Sequence, residues 1–294
     1  MNTKCEEQDK PCLIVVSSVA DLRRETATLR RQGKRIAFVP TMGNLHAGHL
    51  KLVQVAREHA DAVVASIYVN PLQFGPKEDL AAYPRTPVED KKALESEKTD
   101  LLFMPTDADM YPRGLDVMTR VEVPLLGDIL CGKSRPGHFR GVTTVVNRLF
   151  NLVQPDVAVF GKKDYQQIML IKLMVADLGM PIEIVGVDTV READGLAMSS
   201  RNNYLSAVER KTAARLYVGL CDLRDRLTKA GKMVSGIETE TLRELETAGF
   251  RPDYLNVRRA ADLGEPGPQD KVLVILVAAW LGRTRLIDNI EVTV

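Results

Sequence analysis

The sequence predicts an α/β fold, in which a mostly parallel sheet forms a first domain and a smaller α+β unit forms a second domain. Short apolar, β-branched runs alternate with longer amphipathic segments through the first two thirds of the chain. This alternation is typical of a parallel sheet covered by helices on both faces. After about Thr189 long polar helical segments precede the last strands. We therefore expect domains at residues 1–189 and 190–294.

The elements of the first domain follow from its apolar runs and from the periodic segments between them. The predicted strands are residues 13–16, 36–39, 62–69, 101–104, 157–160 and 182–187. The predicted helices are residues 19–31, 50–59, 88–97, 142–152 and 165–178, with Ser18 as the N-cap of the first. Because such sheets bind ligands at the carboxyl ends of their strands, we expect the binding and catalytic residues to lie in the strand-to-helix loops.

The second domain is predicted to contain helices at residues 207–230 and 237–248 and strands at residues 254–257, 272–280 and 285–290. The Gly- and Pro-containing segment 263–270 is predicted to be a turn region.

Composition and charge exclude several classes of protein. The chain has 294 residues with 40 Lys and Arg against 39 Asp and Glu, so no overall field attracts nucleic acid or an anionic membrane. Its longest apolar run, residues 272–281, is half of the roughly 20 residues that span a bilayer. Four cysteines without a Cys-x-x-Cys pair indicate a reducing compartment. Since the acidic N-terminus is unlike a signal peptide, we expect a cytoplasmic protein.

The segment VPTMGNLHAGHL, residues 39–50, is the sharpest chemical signal, because it follows a strand and opens a helix. Gly43 and Gly48 would let the backbone approach a nucleotide. His46 and His49 would share one face of the first helical turn, beside free backbone N–H groups and the positive end of the helix dipole. This arrangement favours phosphate binding and stabilisation of charge in a displacement reaction.

Zinc is the alternative explanation of two close histidines. A zinc site needs further ligands, and His59 and His138 are the remaining histidines, with neither a cysteine pair nor a His-Glu-x-x-His pattern. We therefore expect no metal ion held by the protein.

Two further loops offer charge or hydroxyl groups. In VFGKKDYQQ, residues 159–167, Lys163 could bind a phosphate group. Asp164 could bind a ribose hydroxyl or a metal ion, or it could cap the helix. Two adjacent lysines alone, however, often form a solvated turn. In DGLAMSSRN, residues 194–202, two serines and Arg201 could close over phosphate groups, or form an ordinary helix-entry turn.

Two loops carry neutral or cationic polar side chains. Asn70 and Gln73 follow a predicted strand and could orient a small polar substrate. Arg135, His138 and Arg140 lie on a Gly- and Pro-marked loop that could bind an anion. Each segment could equally be a turn with solvated polar groups.

Taken together, these motifs resemble the pantoate–β-alanine ligase family of the HIGH-motif nucleotidyltransferase superfamily. The resemblance begins at Leu13 and rests on PTMGNLHAGH, SIYVNPLQFG, YPRT, SRPGHFRGV, LFNLVQPD, FGKKDYQQ, MVADLGMPIEIVGV, DGLAMSSRN, VILVAAWLG and RLIDN in this order. It implies a Rossmann-like first domain that binds nucleotide and pantoate, with a C-terminal lid domain. The implied reaction condenses (R)-pantoate with β-alanine through a pantoyl adenylate and gives pantothenate, AMP and pyrophosphate.

The resemblance also implies site residues. His49 matches the catalytic histidine that acts as proton donor, and we expect His46 and Lys163 to act with it. The implied ATP-binding residues are Met42, Gly43, Asn44, Leu45, His46, Ala47, Gly48, His49, Gly161, Lys162, Lys163, Asp164, Val190, Met198, Ser199, Ser200 and Arg201. Gln73 and Gln167 match glutamines that bind pantoate. The resemblance implies ATP as co-substrate, with Mg²⁺ bound to the nucleotide. It also implies a homodimer that associates through the first domain. An apolar surface on residues 66–86 would agree with such a dimer.

Two features depart from the family. Lys162 stands where the family usually has Glu, which should be tolerated if this position offers mainly its backbone. The residues before Leu13, with Cys5 and Cys12, extend past the usual start and have no functional interpretation.

Three other functions compete with the ligase. They are a nucleotidyltransferase acting on another small substrate, a tRNA-charging enzyme and a non-catalytic nucleotide-binding module. Net charge and the short second domain disfavour the tRNA-charging enzyme.

Overall fold

The structure, a computed structural model, describes residues 13–76, 78–231 and 236–294. The predicted N-terminal extension with Cys5 and Cys12 lies outside the described residues. The strands are β1 (Ile14–Val16), β2 (Ile36–Thr41), β3 (Ala62–Ile67), β4 (Leu101–Phe103), β5 (Val157–Gly161), β6 (Glu183–Val187), β7 (Arg251–Arg259), β8 (Val272–Leu281) and β9 (Thr284–Thr293). The helices are α1 (Val19–Arg31), α2 (Ala47–His59), α3 (Pro87–Ser96), α4 (Asp107–Met110), α5 (Cys131–Ser134), α6 (His138–Val153), α7 (Tyr165–Asp177), α8 (Ala207–Ala213), α9 (Arg215–Ala230) and α10 (Ile237–Thr247).

The six predicted strands of the first part form one parallel sheet in the order β1-β4-β3-β2-β5-β6. This confirms the α/β fold class. Strand β2 runs to Thr41 because Pro40 and Thr41 continue the ladder with Ser66 and Ile67, where β3 ends before Tyr68. The middle strands are almost wholly apolar and buried, as expected for strands that are covered on both faces.

Two apolar clusters lie on opposite faces of this sheet. On one face Phe150 of α6 contacts Phe38 and Phe160 edge-on, with ring centroids 6.4 and 6.3 Å apart. On the other face Val39 and Val63 pack with residues of α2 and α3. The helices thereby fix the loops at the carboxyl edge of the sheet.

The second sheet is antiparallel, in the order β7-β8-β9, and packs with α9 and α10 around a separate apolar cluster. The predicted helix at residues 207–230 is instead two helices, α8 and α9, separated at Ala214. A further apolar cluster joins the two sheets, with Phe139 and Tyr165 on one side and Leu263 and Leu276 on the other. The assignment of residues 1–189 and 190–294 to two domains stays a prediction.

Two helices begin three or more residues earlier than the sequence predicts. Helix α2 begins at Ala47, with His46 as its N-cap. Helix α6 begins at His138, so His138 and Arg140 lie in a helix rather than on the expected loop. Helix α6 also packs closely on a short 3₁₀ helix, Pro71–Gln73, because Gly141 has no side chain: a Cβ there would lie 2.1 Å from the Leu72 carbonyl oxygen.

In the described part of residues 66–86 no large apolar side chain is exposed, so this segment gives no support to the homodimer, which stays a prediction. Exposed large apolar side chains of the first part include Ile14, Val15, Val117 and Leu125. No helix among the described residues combines the length and apolar character that crossing a membrane requires.

Candidate active site

The loops after β2 and β5 are neighbours at the carboxyl edge of the parallel sheet. From β2 the chain continues to β3 on one side, and from β5 it continues to β6 on the other, so the strand order reverses between β2 and β5. A crevice at such a switch point is the usual ligand site of an open α/β sheet. The topology thus brings the loop 42–49 and the turn 161–164 to this crevice.

His46 and His49 use their Nδ1 atoms to cap the start of α2. Gly48 N–H donates to His46 Nδ1 over 3.1 Å, and His46 N–H donates to His49 Nδ1 over 3.3 Å. The sequence predicts free backbone N–H groups here, but these two amides are satisfied by the imidazoles. Because an acceptor nitrogen cannot carry a proton, each neutral imidazole carries its proton on Nε2.

The two imidazole rings are close together and remain neutral at neutral pH. Their ring centroids are 4.1 Å apart. Burial, and then the charge of Lys163, lower the pKa of His46 to about 4. Burial, His46 and Lys163 lower the pKa of His49 to about 3. The pair therefore offers two neutral Nε2–H donors next to one lysine charge, which suits the stabilisation of developing negative charge.

Asp90 on α3 shapes the loop before these histidines, and no motif in the sequence indicates it. Its buried carboxylate accepts the backbone N–H groups of Asn44, at 2.9 Å, and Leu45, at 2.8 Å. The Thr86 hydroxyl also donates to it, over 3.1 Å. Gly43 has φ +80°, and a Cβ there would lie 3.0 Å from Asp90 Oδ2. Asp90 thus holds the turn that brings the backbone to the crevice.

The segment 190–201 reaches the same loop from the second part of the chain. Met198 N–H donates to Val190 O over 3.0 Å, which closes a hairpin. Ser199 caps the 3₁₀ helix Ser200–Tyr204, and the Ser200 hydroxyl donates to Asn44 O over 3.1 Å. Three of the predicted nucleotide segments therefore meet.

Arg201 is paired with a carboxylate in this structure. Its guanidinium donates to both oxygens of Asp79, over 3.1 and 3.2 Å, and this pairing and Tyr83 outweigh burial in raising the pKa of Arg201. No pattern in the sequence indicates this role of Asp79. A phosphate group would have to compete with Asp79 for Arg201.

The two lysines of the turn after β5, Lys162 and Lys163, have different charged neighbours. Lys162 Nζ lies 2.8 Å from Asp188 and 3.9 Å from Glu291, so its added charge is neutralised away from the histidines. The bond to Asp188 raises the pKa of Lys162. Lys163 is the lysine whose charge acts on His46 and His49. Asp164 occupies the N-cap position of α7 without a side-chain capping bond.

Gln73 is held so that its amide NH₂ group remains available. Asn70 Nδ2 donates to Gln73 Oε1 over 3.1 Å, while Asn70 Oδ1 accepts the Tyr111 hydroxyl over 2.6 Å. The Gln73 Nε2 atom donates to Met42 Sδ over 3.0 Å. A thioether is a weak acceptor, so an oxygen atom of a ligand could replace it.

Gln167 and Lys163 line a small cleft between the two sheets. Arg135 and His138 line it as well. Arg135 is paired with Glu78 at 2.6 Å, so the anion site expected from it is already filled by a carboxylate. The Arg135 guanidinium donates to His138 Nε2, so His138 Nδ1 carries the proton and donates to Gln73 O over 2.8 Å. Burial and the Arg135 charge lower the pKa of His138 to about 4.

Some of the predicted ATP-binding residues have no polar side chain and contribute backbone groups or leave room for neighbouring groups. Gly161 ends β5 at the turn, and Ala47 begins α2. A Cβ on Gly48 would lie 2.8 Å from the His46 ring and 3.8 Å from Met198 Cβ. The described residues include no group of three or more His, Cys, Asp and Glu side chains that could hold a metal ion.

Comparisons with known proteins agree on one family. A family model described as pantoate-beta-alanine ligase matches residues 14–291. A curated relative named pantothenate synthetase, from Shewanella halifaxensis, is 56% identical over 281 residues, which cover 96% of this chain and 99% of that protein.

Solved structures agree over the whole fold. A pantothenate synthetase from Thermus thermophilus has a TM-score of 0.88 at 47% identity, over 96% of this chain and 100% of that chain. A Francisella tularensis pantoate-beta-alanine ligase, complexed with beta-gamma ATP and beta-alanine, has a TM-score of 0.79 at 33% identity, over 95% of this chain and 97% of that chain.

Proposed function

Because the chain belongs to the pantoate–β-alanine ligase family, we propose that it joins (R)-pantoate to β-alanine through a pantoyl adenylate, with release of pyrophosphate and then AMP. The observation that supports this most is the meeting of the loop 42–49, the turn 161–164 and the segment 190–201 at the strand-order reversal. ATP as a substrate fits the ATP complex of the Francisella relative.

The first step requires positive charge and hydrogen-bond donors. A pantoate carboxylate oxygen attacks the α-phosphorus atom of ATP, and the bond to the pyrophosphate oxygen breaks. Lys163 would oppose the charge of the phosphates, while His46 and His49 would donate from Nε2 to the oxygens on which charge develops. The neutral histidines keep these donors without adding a charge that titrates near pH 7.

Gln73 and Gln167 would orient pantoate for this attack. The Nε2 group of Gln73 would exchange Met42 Sδ for a pantoate oxygen, since Asn70 already fixes its Oε1 atom. Gln167 lines the same cleft as Lys163, the lysine proposed to oppose the phosphate charge. The neutral amides would bind the hydroxyl and carboxylate oxygens without pairing with the carboxylate charge that must react.

The second step makes the amide bond. The unprotonated amine of β-alanine attacks the acyl carbon of the adenylate, loses a proton, and AMP leaves as the mixed anhydride breaks. The main contribution of the protein to this step would be to hold the two reactants together in a site that excludes water. The His138–Gln73 bond would keep the backbone of Gln73 in place during both steps.

Arg201 would exchange Asp79 for the β- or γ-phosphate as the segment 198–201 closes over ATP. The exchange is feasible because a guanidinium binds carboxylate and phosphate in the same two-pronged manner. Val190, Met198 and Ser199 would supply the shape of this side of the nucleotide site, and Ser200 ties it to Asn44.

Mg²⁺ would enter with the nucleotide. The described residues offer no cage of carboxylates for it, so phosphate oxygens and water would be its ligands, and it would neutralise phosphate charge there. We also propose a cytoplasmic homodimer that associates through the first domain. Light scattering of the purified protein tests the dimer.

Product analysis tests the proposed function. The purified protein should form AMP and pantothenate from ATP and (R)-pantoate when β-alanine is present. Without β-alanine it should exchange labelled pyrophosphate into ATP in the presence of pantoate, which reports the adenylate. Release of a nucleotidyl product other than pantoyl adenylate, without a requirement for β-alanine, would instead indicate a nucleotidyltransferase. The lack of exchange would exclude a reversibly formed pantoyl adenylate.

A further inference from the structure

Asn289 on β9 fixes the backbone of the turn that carries Lys163. Its Nδ2 group donates to the carbonyl oxygens of Lys162 and Lys163, over 2.9 Å each. These residues are 126 and 127 positions away in the chain. Within the described structure neither N-cap residue of this turn, Gly161 or Asp164, makes a side-chain capping bond. No N-cap side chain therefore holds the N–H groups of this turn, and the buried amide of Asn289 ties the turn through its carbonyl oxygens instead.

Asn289 is itself held by an ion pair between the partly buried Arg191 and the buried Asp288. Arg191 and Asp288 form a two-pronged pair at 2.7 and 3.0 Å, and the Asp288 carboxylate also accepts the Asn289 backbone N–H over 2.8 Å. The Arg191 guanidinium lies over the Tyr217 ring, 3.6 Å from its centroid, and donates to Gly195 O over 3.0 Å. An ion pair with these additional bonds has a well-defined geometry.

This network links two of the proposed nucleotide segments through one strand. Arg191 follows Val190 in the hairpin that leads to Met198, and Asn289 holds the turn of Lys163. We propose that Asn289 is a positioning residue that sets the place of the Lys163 ammonium group relative to the triphosphate. The proposal rests on the proposed function of Lys163 and adds a residue for which the sequence suggests no role.

Two substitutions separate hydrogen bonding from packing. Asn289→Asp keeps the size of the side chain but places an oxygen atom against the two carbonyl oxygens. Asn289→Ala removes the side chain and lets water donate instead. If Asn289 acts by donation, the Asp variant loses more ATP affinity and kcat/KM than the Ala variant. A side chain that merely fills space would give the opposite order.

The expected loss in kcat/KM for ATP is on the order of 10²-fold for Asn289→Asp and 10-fold for Asn289→Ala, because misplacing a catalytic group by about 1 Å can have such an effect. The KM for pantoate should change less than the KM for ATP. Asn151→Asp is the matched control, since the exposed Asn151 also donates its amide to a backbone carbonyl, that of Asn147 at 2.8 Å, but on the outside of α6. This control should retain wild-type values.

A double-mutant cycle with Lys163→Ala tests whether Asn289 acts through Lys163. In the Lys163→Ala background, Asn289→Asp should lower ATP affinity by less than about 2-fold, because the group that it positions is gone. An equal loss in both backgrounds, or a larger loss for Asn289→Ala than for Asn289→Asp, would overturn the proposal. If Asn289→Asp does not unfold cooperatively, the cycle is run with Asn289→Ala and the same criterion applies.

Calorimetric ATP binding in the absence of pantoate keeps the two proposals separate. If the wild-type protein binds ATP but forms no AMP with pantoate and β-alanine, the proposed function fails while the order of ATP affinities still decides the role of Asn289. If it is active and the variants have unchanged ATP affinity and kcat/KM, the role of Asn289 fails alone.

Discussion

Replacing Asp90 by Asn should damage both the stability and the nucleotide site, although the two side chains have nearly the same shape. The Asp90 carboxylate accepts Leu45 N–H and the Thr86 hydroxyl on Oδ1 and Asn44 N–H on Oδ2. An Asn side chain has one acceptor oxygen. In either orientation its NH₂ group faces one of the two backbone N–H groups, so one buried donor loses its acceptor and the other loses a charged acceptor.

The magnitude follows from these contacts. A buried unpaired donor costs about 1–3 kcal/mol, and a hydrogen bond to a charged group contributes about 1.5–3 kcal/mol, more than its neutral counterpart. We therefore expect the free energy of unfolding to fall by about 2–4 kcal/mol, which corresponds to a Tm lower by roughly 3–7 °C for a chain of this length. Because Asn44 and Leu45 belong to the loop 42–49, kcat/KM for ATP should fall on the order of 10- to 10²-fold.

Calorimetry and steady-state kinetics measure the two effects on the same samples. Glu95→Gln is the matched control, because it removes one charge from an exposed position of the same helix. An unchanged Tm for Asp90→Asn would refute the assignment of two buried amide bonds to Asp90. A lower Tm with an unchanged ATP KM would show that Asp90 stabilises the fold without shaping the nucleotide site.

Three further predictions concern the histidines and Gln73. His49→Ala should lower kcat by about 10²–10³-fold with the fold retained, because a donor to the transition state is lost; rapid-quench measurement of adenylate formation tests this. Gln73→Ala should raise the KM for pantoate more than the KM for ATP, since its NH₂ group, which donates to the weak acceptor Met42 Sδ, is the group proposed to bind pantoate. The free energy of unfolding should fall as the pH falls from 7 to 5. In the unfolded protein the histidines take up protons near their ordinary pKa of 6.5. In the folded protein His49 stays neutral until about pH 3 and His46 until about pH 4, so protonation favours the unfolded state. In urea titrations His49→Gln should reduce this fall by about 1–2 kcal/mol.

Each of these predictions has a control and a contrary result. His59→Ala at the end of α2 should leave kcat unchanged, and a normal rate of adenylate formation in His49→Ala would exclude the proposed donor role. Equal KM changes for pantoate and ATP in Gln73→Ala would place Gln73 outside the pantoate site, with the exposed Gln54→Ala as control. An identical pH dependence of unfolding in wild type and His49→Gln would mean that His49 titrates normally in the folded protein.

The fold class could be predicted from the sequence because its signals are local, and the loops of the candidate site are marked by local signals as well. Apolar runs and helical periodicity mark the six parallel strands and the helices that cover them, and the glycines and histidines of residues 42–49 mark a strand-to-helix loop. The errors have local causes as well. The helix predicted at residues 207–230 is interrupted at Ala214, where no Gly or Pro signals the break.

The sequence alone determined the α/β architecture, the family resemblance and the segments in which the chemistry should lie, since each depends on the order of residues along the chain. The tertiary structure decided how side chains are paired: Asp90 holds a loop 45 and 46 residues away, Arg201 pairs with Asp79 across 122 residues, and Asn289 holds the turn of Lys163 across 126. The protonation of His46 and His49 depends on both levels: the local capping bonds place the proton on Nε2, and burial among the packed elements lowers the pKa so that the rings stay neutral. Local patterns carry no record of such partners, which become neighbours when the sheets and helices pack.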